Sequence, residues 1–137
     1  MKHEKPELSR KNPHCLPKYR YLELKNFCFQ YNDWKRALAR LNGWRAQEGD
    51  MGGIVKSNVP SDPTAREGML RAYYSQHIEL IDRCIYKMEP ALQTYIRKGV
   101  TEGLSYKSLR ARGCPCGSQM YYDFYRKFFW LLSIERQ

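Results

Sequence analysis

The chain of 137 residues carries a formal net charge of +10, with 42% hydrophobic and 14% aromatic residues, enough apolar content for one core at this length. Its longest apolar run is the five residues 128–132, far short of the roughly 20 that a transmembrane helix needs. The first residues lack an apolar signal region, and five cysteines at irregular spacing are typical of reduced thiols. We therefore expect a cytoplasmic protein with no membrane partner and no disulfides.

The positive charge is concentrated at the two ends of the chain. Residues 1–20 contain six Lys or Arg against two acidic residues, and residues 91–137 contain eight against three. Residues 21–90 between them hold ten basic and nine acidic residues. This asymmetry favours a polyanion, with double-stranded DNA as the expected partner; the alternative is a merely solvated basic surface.

Residues 1–18 form a predicted basic flexible arm. Pro6, Pro13 and Pro17 are scattered among Lys, Arg and Asn residues, and this mixture neither propagates a helix nor provides a sizeable apolar face. The two histidines and one cysteine of the arm lack the second pair of ligands that a zinc site needs. We expect no bound metal and no other cofactor.

A helical segment is predicted over residues 19–46, followed by a linker over residues 47–62. Apolar residues recur at three- and four-residue steps along the first of these, which is the period of an amphipathic helix. Asn32 and Asp33 supply N-cap chemistry, so the segment is either two helices or one bent helix. The linker is assigned from its glycines, its proline and its small polar residues.

Residues 63–137 are predicted to form a C-terminal helical domain. Pro63 follows an N-cap candidate and suits the first position of a long helix, whose apolar pattern continues to about residue 88. Pro90 begins the next helix. Gly103 ends that helix, because glycine adopts the left-handed C-terminal conformation without Cβ strain.

The last part of this domain predicts a helix-turn-helix. Ser105 can cap a short helix, Gly113 and Pro115 interrupt it, and Ser118 can cap a final helix. The apolar stripe of that final helix is predicted on the face of Met120, Phe124, Phe128 and Leu131, with Tyr121, Tyr125, Phe129 and Leu132 adjacent. The predicted fold class is an all-α helical bundle with a C-terminal helix-turn-helix.

Candidate DNA contacts lie on both helices of this motif. A recognition helix needs an outward polar face at its N-terminal end and cations near phosphates. Gln119 can pair with an adenine edge, Tyr122 can stack or donate to phosphate, and Asp123 would repel phosphate. The predicted contacts are Ser118, Gln119, Tyr122, Arg126 and Lys127 on the final helix and Lys107, Arg110 and Arg112 on the helix before it.

Several segments along most of the chain share their order and spacing with a known family: residues 21–25, 30–35, 61–64, 101–109 and 115–116, followed by the aromatic-rich 125–132. They resemble phage late-gene transcription activators of the RinA/ArpU type and related short prophage regulators, which look like region 4 of sigma factors. The resemblance implies a prophage-encoded, all-α, DNA-binding transcriptional regulator. Members usually place a Ser/Arg-rich stretch at the start of the recognition helix, where this chain has Gly117, Ser118 and Gln119.

Enzymatic activity is not expected. Cys114 and Cys116 are too closely spaced and too solitary for a zinc ribbon or finger. No nearby histidine supplies the base that a nucleophilic Cys116 would need. We interpret the two cysteines as ordinary turn residues.

Two functions remain. The first is a transcriptional regulator whose helix-turn-helix occupies the major groove while the arm contacts phosphates. The second is a helical protein-interaction module, a dimeric or RNA-polymerase-binding factor, in which the apolar run 128–132 exceeds what one small core buries and partly forms an interface. The two functions are compatible, because many helix-turn-helix proteins read half-sites as homodimers.

Overall fold

Helices make up most of the described parts of the chain. A computed structural model describes residues 13–51 and 63–137, with only the backbone described for residues 44–51. Every regular element in these parts is a helix, which confirms the predicted all-α class. The elements are α1 (Lys18–Cys28), α2 (Tyr31–Met51), α3 (Pro63–Tyr86), a 3₁₀ turn (Pro90–Leu92), α4 (Gln93–Glu102), α5 (Tyr106–Ala111) and α6 (Ser118–Glu135).

Proline and glycine set several helix ends where the sequence predicts them. The long helix α3 begins at Pro63. Gly103 ends α4 with a φ of 74°, in the left-handed region that glycine adopts without strain. Pro90 begins the 3₁₀ turn, and the α-helix follows from Gln93. Local capping chemistry therefore fixes these boundaries.

The predicted arm and linker fall largely on residues that the structure does not describe. Residues 1–12 of the arm lie outside the described residues, and Lys18 already belongs to α1. The linker prediction over residues 47–62 begins too early, because α2 continues to Met51. Residues 44–48, just before Gly49, contain no glycine or proline, so that the helix continues past the position where composition suggested a break.

The chain divides into two compact units. One combines Met1–Tyr31 with Leu80–Gln137, and the other is Asn32–Glu79. In the second unit the ring of Trp34, which is buried, meets the edge of the His77 ring at a centroid distance of 4.9 Å. All of the predicted DNA contacts belong to the first unit.

Helix α4 is central to the first unit because it contacts α1, α5 and α6. Its side chains Ile96 and Val100 are fully buried. Large aromatic side chains bury more apolar area than any other residue type, and α6 supplies most of them. The buried residues of α6 are Tyr121, Tyr125, Phe128, Phe129 and Leu132.

Gly99 allows α4 and α6 to approach closely. A Cβ atom at position 99 would overlap the Tyr121 hydroxyl of α6 and lie 3.5 Å from a methyl carbon of Leu109 in α5. Helices α4, α5 and α6 therefore pack closely at Gly99, which has no side chain. The Tyr121 hydroxyl is buried without a hydrogen-bond partner among the described residues, and burial raises the pKa of Tyr121.

The final helix buries Phe128 of the predicted face together with the stripe that the prediction placed beside it. Met120 is 53% exposed, and Phe124 and Leu131 are only partly buried. The prediction was wrong for Met120, Phe124 and Leu131 because about half of the circumference of this helix is apolar, so that periodicity alone does not identify the buried stripe. The stripe that contains Tyr121 is the buried one, since its ring fits the space left by Gly99.

The apolar run 128–132 likewise belongs mainly to the core. Phe128, Phe129 and Leu132 are at most 1% exposed, and Trp130 and Leu131 are partly buried. The expectation that this run exceeds what the core can bury, and so forms an interface, is wrong for the three core residues.

Polar side chains connect the helix ends of the first unit. Arg20 in α1 donates to the Oγ and main-chain oxygen of Ser133, at 3.1 and 3.0 Å, and so satisfies a carbonyl group at the end of α6. Tyr31 donates to an oxygen of Asp82 at 2.7 Å, and Arg97 donates to the same oxygen at 3.1 Å. Burial, together with the hydrogen bond to Asp82, raises the pKa of Tyr31 to about 12.

We expect Gly99→Ala to lower the free energy of unfolding by about 1–3 kcal/mol, because the added methyl group overpacks the contact with Tyr121. Gly68→Ala in α3 is the matched control: nothing lies within 4 Å of its Cβ position, so helix propensity should stabilise that variant by roughly 0.5–1 kcal/mol. Urea denaturation measures both changes.

A second substitution identifies the cause of the loss. Tyr121→Phe in the Gly99→Ala background removes the overlapping oxygen and should restore much of the lost stability. If Gly99→Ala is as stable as Gly68→Ala, the close approach of α4 and α6 is not a constraint on this fold.

Candidate nucleic-acid interface

Three cations project from α5 and from the turn that follows it. Lys107, Arg110 and Arg112 are exposed, and residues 103–122 contain no acidic residue. The salt bridges among the described residues do not include these three side chains. No carboxylate of the described residues therefore forms a salt bridge with the positive charge of this part of the surface.

Ser105 caps the start of α5, as the sequence predicts. Its extended backbone places the Oγ atom so that it accepts the N–H of Ser108 at 3.2 Å. A hydroxyl in this position satisfies one of the amide groups that a helix start leaves without a partner. The position of Lys107 is fixed by this capped first turn.

Helix α5 ends in a Schellman motif centred on Gly113. The φ angle of Gly113 is 108°, a conformation that favours glycine. The Cys114 N–H donates to the carbonyl of Leu109, and the Gly113 N–H donates to that of Arg110, each at 3.0 Å. These two bonds define the motif, and they fix the point at which the chain turns towards α6.

The start of α6 differs from the prediction, which placed Ser118 at the N-cap. Gly117 is the N-cap residue and Ser118 is the first helical residue, so no side chain caps this helix. A capping hydroxyl must precede the first helical residue, in extended backbone, and Gly117 occupies that position. The first amide groups of α6 are therefore left for an anion or water, and Ser118 and Gln119 beside them are exposed.

The starts of α5 and α6 are held together by one hydrogen bond. The Tyr106 hydroxyl donates to the main-chain oxygen of Cys116 at 2.6 Å. Tyr106 is the first residue of α5, and Cys116 lies two residues before α6. This bond brings the neighbour of Lys107 next to the uncapped start of α6.

Arg126 does not lie in the exposed environment expected of a phosphate contact. Only 10% of its side chain is exposed, and its Nη2 atom donates to Asp123 at 2.8 Å. Side chains three residues apart are neighbours on a helix, so Asp123 neutralises Arg126 instead of repelling a phosphate. Arg126 is therefore not one of the exposed cations of this region.

Lys127 lies beside the end of the arm. It lines a pocket of about 280 Å³ whose other lining residues are Pro13, His14, Asp123 and Phe124. The His14 ring lies 4.9 Å from the ring of Trp130 in α6. Burial, together with the charge of Lys127, lowers the pKa of His14 and so disfavours its charged form.

Tyr122 is partly buried in a cluster of tyrosine rings. Its ring centroid lies 5.0 Å from that of Tyr121, 5.8 Å from that of Tyr125 and 6.5 Å from that of Tyr106. Tilted and edge-on arrangements at these distances are favourable. Tyr122 therefore contributes to the contact between α5 and α6 as well as to the surface.

The described residues offer no metal centre and no membrane span. No group of three or more His, Cys, Asp or Glu side chains among them is arranged to hold a metal ion. None of the described helices combines the length and the hydropathy needed to cross a bilayer. The cysteines are present as thiols, and the Sγ atoms of Cys114 and Cys116 are 3.9 Å apart.

Two structural features of this region were missed from the sequence. The pair of Asp123 and Arg126 was detectable, because an acid and an arginine three residues apart on a helix favour an ion pair. The bond from Tyr106 to Cys116 had no local signal, since its donor and acceptor belong to different elements. The ion pair neutralises the charge of Arg126. The hydrogen bond from Tyr106 to Cys116 fixes the junction of α5 and α6.

Five of the predicted contacts are exposed, and we call them together the α5–α6 surface: Lys107, Arg110, Arg112, Ser118 and Gln119. It combines three cations, two small polar side chains and an uncapped helix start, a set suited to phosphate groups. Comparisons of the chain with protein-family models, curated proteins and solved structures found no significant match. The function is therefore inferred from the α5–α6 surface itself.

We expect Ser105→Ala to lower the free energy of unfolding by about 1 kcal/mol, because it removes the cap of α5. Ser118→Ala is the matched control and should change stability by less than about 0.5 kcal/mol, since an exposed serine with no capping bond is replaced by a better helix former. Thermal and urea denaturation of both variants measure the difference. Equal losses in the two variants would show that the assignment of the caps is wrong.

Proposed function

We propose that this chain is a DNA-binding transcriptional regulator that uses α5 and α6 as a helix-turn-helix. The observation that best supports the proposal is the α5–α6 surface, where Lys107, Arg110 and Arg112 are exposed in a stretch without acidic residues. Exposed, unneutralised cations supply most of the sequence-independent affinity for DNA. The uncapped start of α6 adds amide groups that favour a phosphate oxygen.

Base recognition in this proposal is limited to the first turn of α6. Gln119 is exposed there and has the amide geometry that pairs with adenine N6 and N7. Ser118 can bond to a base edge or to a phosphate. Because this helix start carries no arginine, phosphate contacts provide most of the affinity and sequence preference is modest.

The arm adds a second set of phosphate contacts in this proposal. Pro13 and His14, which belong to the predicted arm, lie against α6. Arg126 has a supporting role, because its pairing with Asp123 leaves it within α6. Lys127, which lies on α6 itself, contributes long-range positive charge.

The regulatory role and the prophage origin come from the resemblance to activators of the RinA/ArpU type. A regulator of this kind acts on DNA in the cytoplasm. The α5–α6 surface supports DNA binding independently of that resemblance, because its charge and exposure are properties of this chain alone.

We expect Lys107→Ala/Arg112→Ala to weaken DNA binding and to flatten the plot of log K against log salt concentration by roughly 1.8, since each phosphate contact contributes about 0.9 to the slope. Fluorescence anisotropy with a labelled duplex over a salt series measures this. Arg40→Ala/Arg66→Ala is the matched control: it removes two exposed cations from α2 and α3 and should leave the slope nearly unchanged. Equal flattening in both variants would contradict a site on the α5–α6 surface.

A selection from randomised duplexes tests base recognition. We expect the chain to enrich a motif that contains adenine at one position, and Gln119→Ala to lose that preference at a cost of about 1–3 kcal/mol for the selected site. Its binding to random duplex should stay within a factor of two. Enrichment of no motif would restrict the function to non-specific DNA binding.

The second function, a protein-interaction module, is favoured by one observation on α3. Met69, Leu70 and Tyr73 are exposed by 73%, 41% and 48%, and they lie on adjacent positions of the helix surface. Exposed apolar side chains in a group are typical of an interface. The partner would be a second copy of the chain or RNA polymerase.

For this second function we expect light scattering to detect a dimer at high micromolar concentration, and Met69→Glu/Leu70→Glu to abolish it by placing two charges in an apolar contact. Tyr19→Glu is the matched control, because Tyr19 is an exposed aromatic residue of α1 and its replacement should leave the dimer intact. A monomer at every concentration would exclude self-association, and then binding to polymerase would need its own assay.

A further inference from the structure

Two thiols face each other in the turn between α5 and α6. Cys114 and Cys116 flank Pro115, and their Sγ atoms are 3.9 Å apart. Cys114 is 1% exposed, whereas Cys116 is partly exposed. One thiol of the pair is therefore accessible from solvent while the other is held against the core.

The distance between these sulfurs is short enough for a disulfide to form by a local change. A disulfide requires about 2.05 Å between the sulfur atoms, so the two must approach by roughly 2 Å. Gly117 follows the pair in extended backbone, with nothing within 4 Å of its Cβ position. The chain on that side of the pair therefore has room to adjust.

We infer that Cys114 and Cys116 are a redox-active pair that closes reversibly to an intramolecular disulfide and thereby changes the junction of α5 with α6. The oxidant belongs to the class of small-molecule disulfides, such as glutathione disulfide. The inference that closure alters DNA binding rests on the proposed function, whereas the formation of the disulfide does not.

The chemistry takes place in two exchange steps. The Cys116 thiol loses its proton and attacks one sulfur of the oxidant, which releases one thiolate and leaves a mixed disulfide on Cys116. The Cys114 thiol then loses its proton and attacks Cys116 Sγ, which releases the second thiolate. Each released thiolate takes up one proton, so two protein thiols are oxidised and one small disulfide is reduced to two thiols.

Two side chains of α5 donate hydrogen bonds to the main-chain oxygens of this pair. Arg110 donates to the main-chain oxygen of Cys114 at 2.9 Å, and Tyr106 donates to that of Cys116 at 2.6 Å. Drawing the sulfurs together moves both carbonyl groups. Arg110, one of the three cations of the α5–α6 surface, is repositioned directly by this movement.

Burial, together with the neighbouring thiol of Cys114, raises the pKa of the Cys116 thiol. Only the thiolate reacts, so exchange at neutral pH is slow compared with that of an exposed thiol. The pair is therefore studied at equilibrium with a glutathione mixture and not from a brief exposure to oxidant.

The test equilibrates the full chain with mixtures of glutathione and glutathione disulfide, then labels remaining thiols with N-ethylmaleimide under denaturing conditions. We expect the oxidised chain to take up two fewer labels than the five of the reduced chain. The tryptic peptide of residues 113–126 contains Cys114 and Cys116 and no other cysteine, so it should lose two hydrogen atoms. Dithiothreitol should reverse the change.

Two variants separate this pair from the other cysteines. Cys116→Ser should abolish the two-label loss, whereas Cys15→Ser, which replaces the other partly buried cysteine, should retain it. Five labels at every glutathione ratio, a mixed disulfide that persists on the peptide, or a disulfide between two chains would each overturn the inference.

DNA binding tests the consequence of closure. We expect the oxidised chain to bind a labelled duplex roughly tenfold more weakly than the reduced chain, the size of effect that one displaced contact produces, and Cys116→Ser to show no difference. If the disulfide forms and affinity is unchanged, the coupling to the α5–α6 surface is refuted. If the reduced chain does not bind DNA, the proposed function fails, and the tryptic peptide still decides whether the redox pair exists.

Discussion

The contact between Gly99 and Tyr121 is the constraint on which the first unit depends. Because position 99 has no side chain, the Tyr121 ring of α6 reaches the backbone of α4, and Leu109 of α5 packs at the same place. The contact sets the distance between α4 and α6 and also the position of α5. The α5–α6 surface is therefore determined by a packing feature that lies inside the core.

Part of the positive charge of the chain is neutralised within the protein, so a partner would encounter less charge than the net value of +10 indicates. Arg20 binds the end of α6, Arg97 binds Asp82, and Arg126 binds Asp123. Each of these side chains stabilises contacts within the protein, and its charge is largely neutralised or buried there. The cations of the α5–α6 surface make no such ion pair among the described residues, which is what the proposed function requires of them.

Several helix ends were predictable from the sequence, whereas the buried face of α6 was not, and the reason is physical. Pro63, Gly103 and Ser105 act through their own backbone or a side chain within three residues, so the sequence contains the whole cause. The buried face of α6 is selected by α4, and tertiary contacts of this kind leave no local pattern. Arg126, predicted as a phosphate contact, lies in an ion pair with Asp123, and this pairing does have a local signal because the two residues are three positions apart on a helix.

Hydrogen bonds of the turn between α5 and α6 determine how the α5–α6 surface is arranged. Gly113 fixes the end of α5 through the Schellman bonds, and the Tyr106 hydroxyl fixes the approach to α6. Both sets of bonds involve main-chain groups of Cys114 or Cys116. A covalent change at these two sulfurs acts on the hydrogen bonds that position the helices, whereas a change at a solvent-exposed lysine alters only its own charge. For this reason the turn is a better place for regulation than the cations themselves.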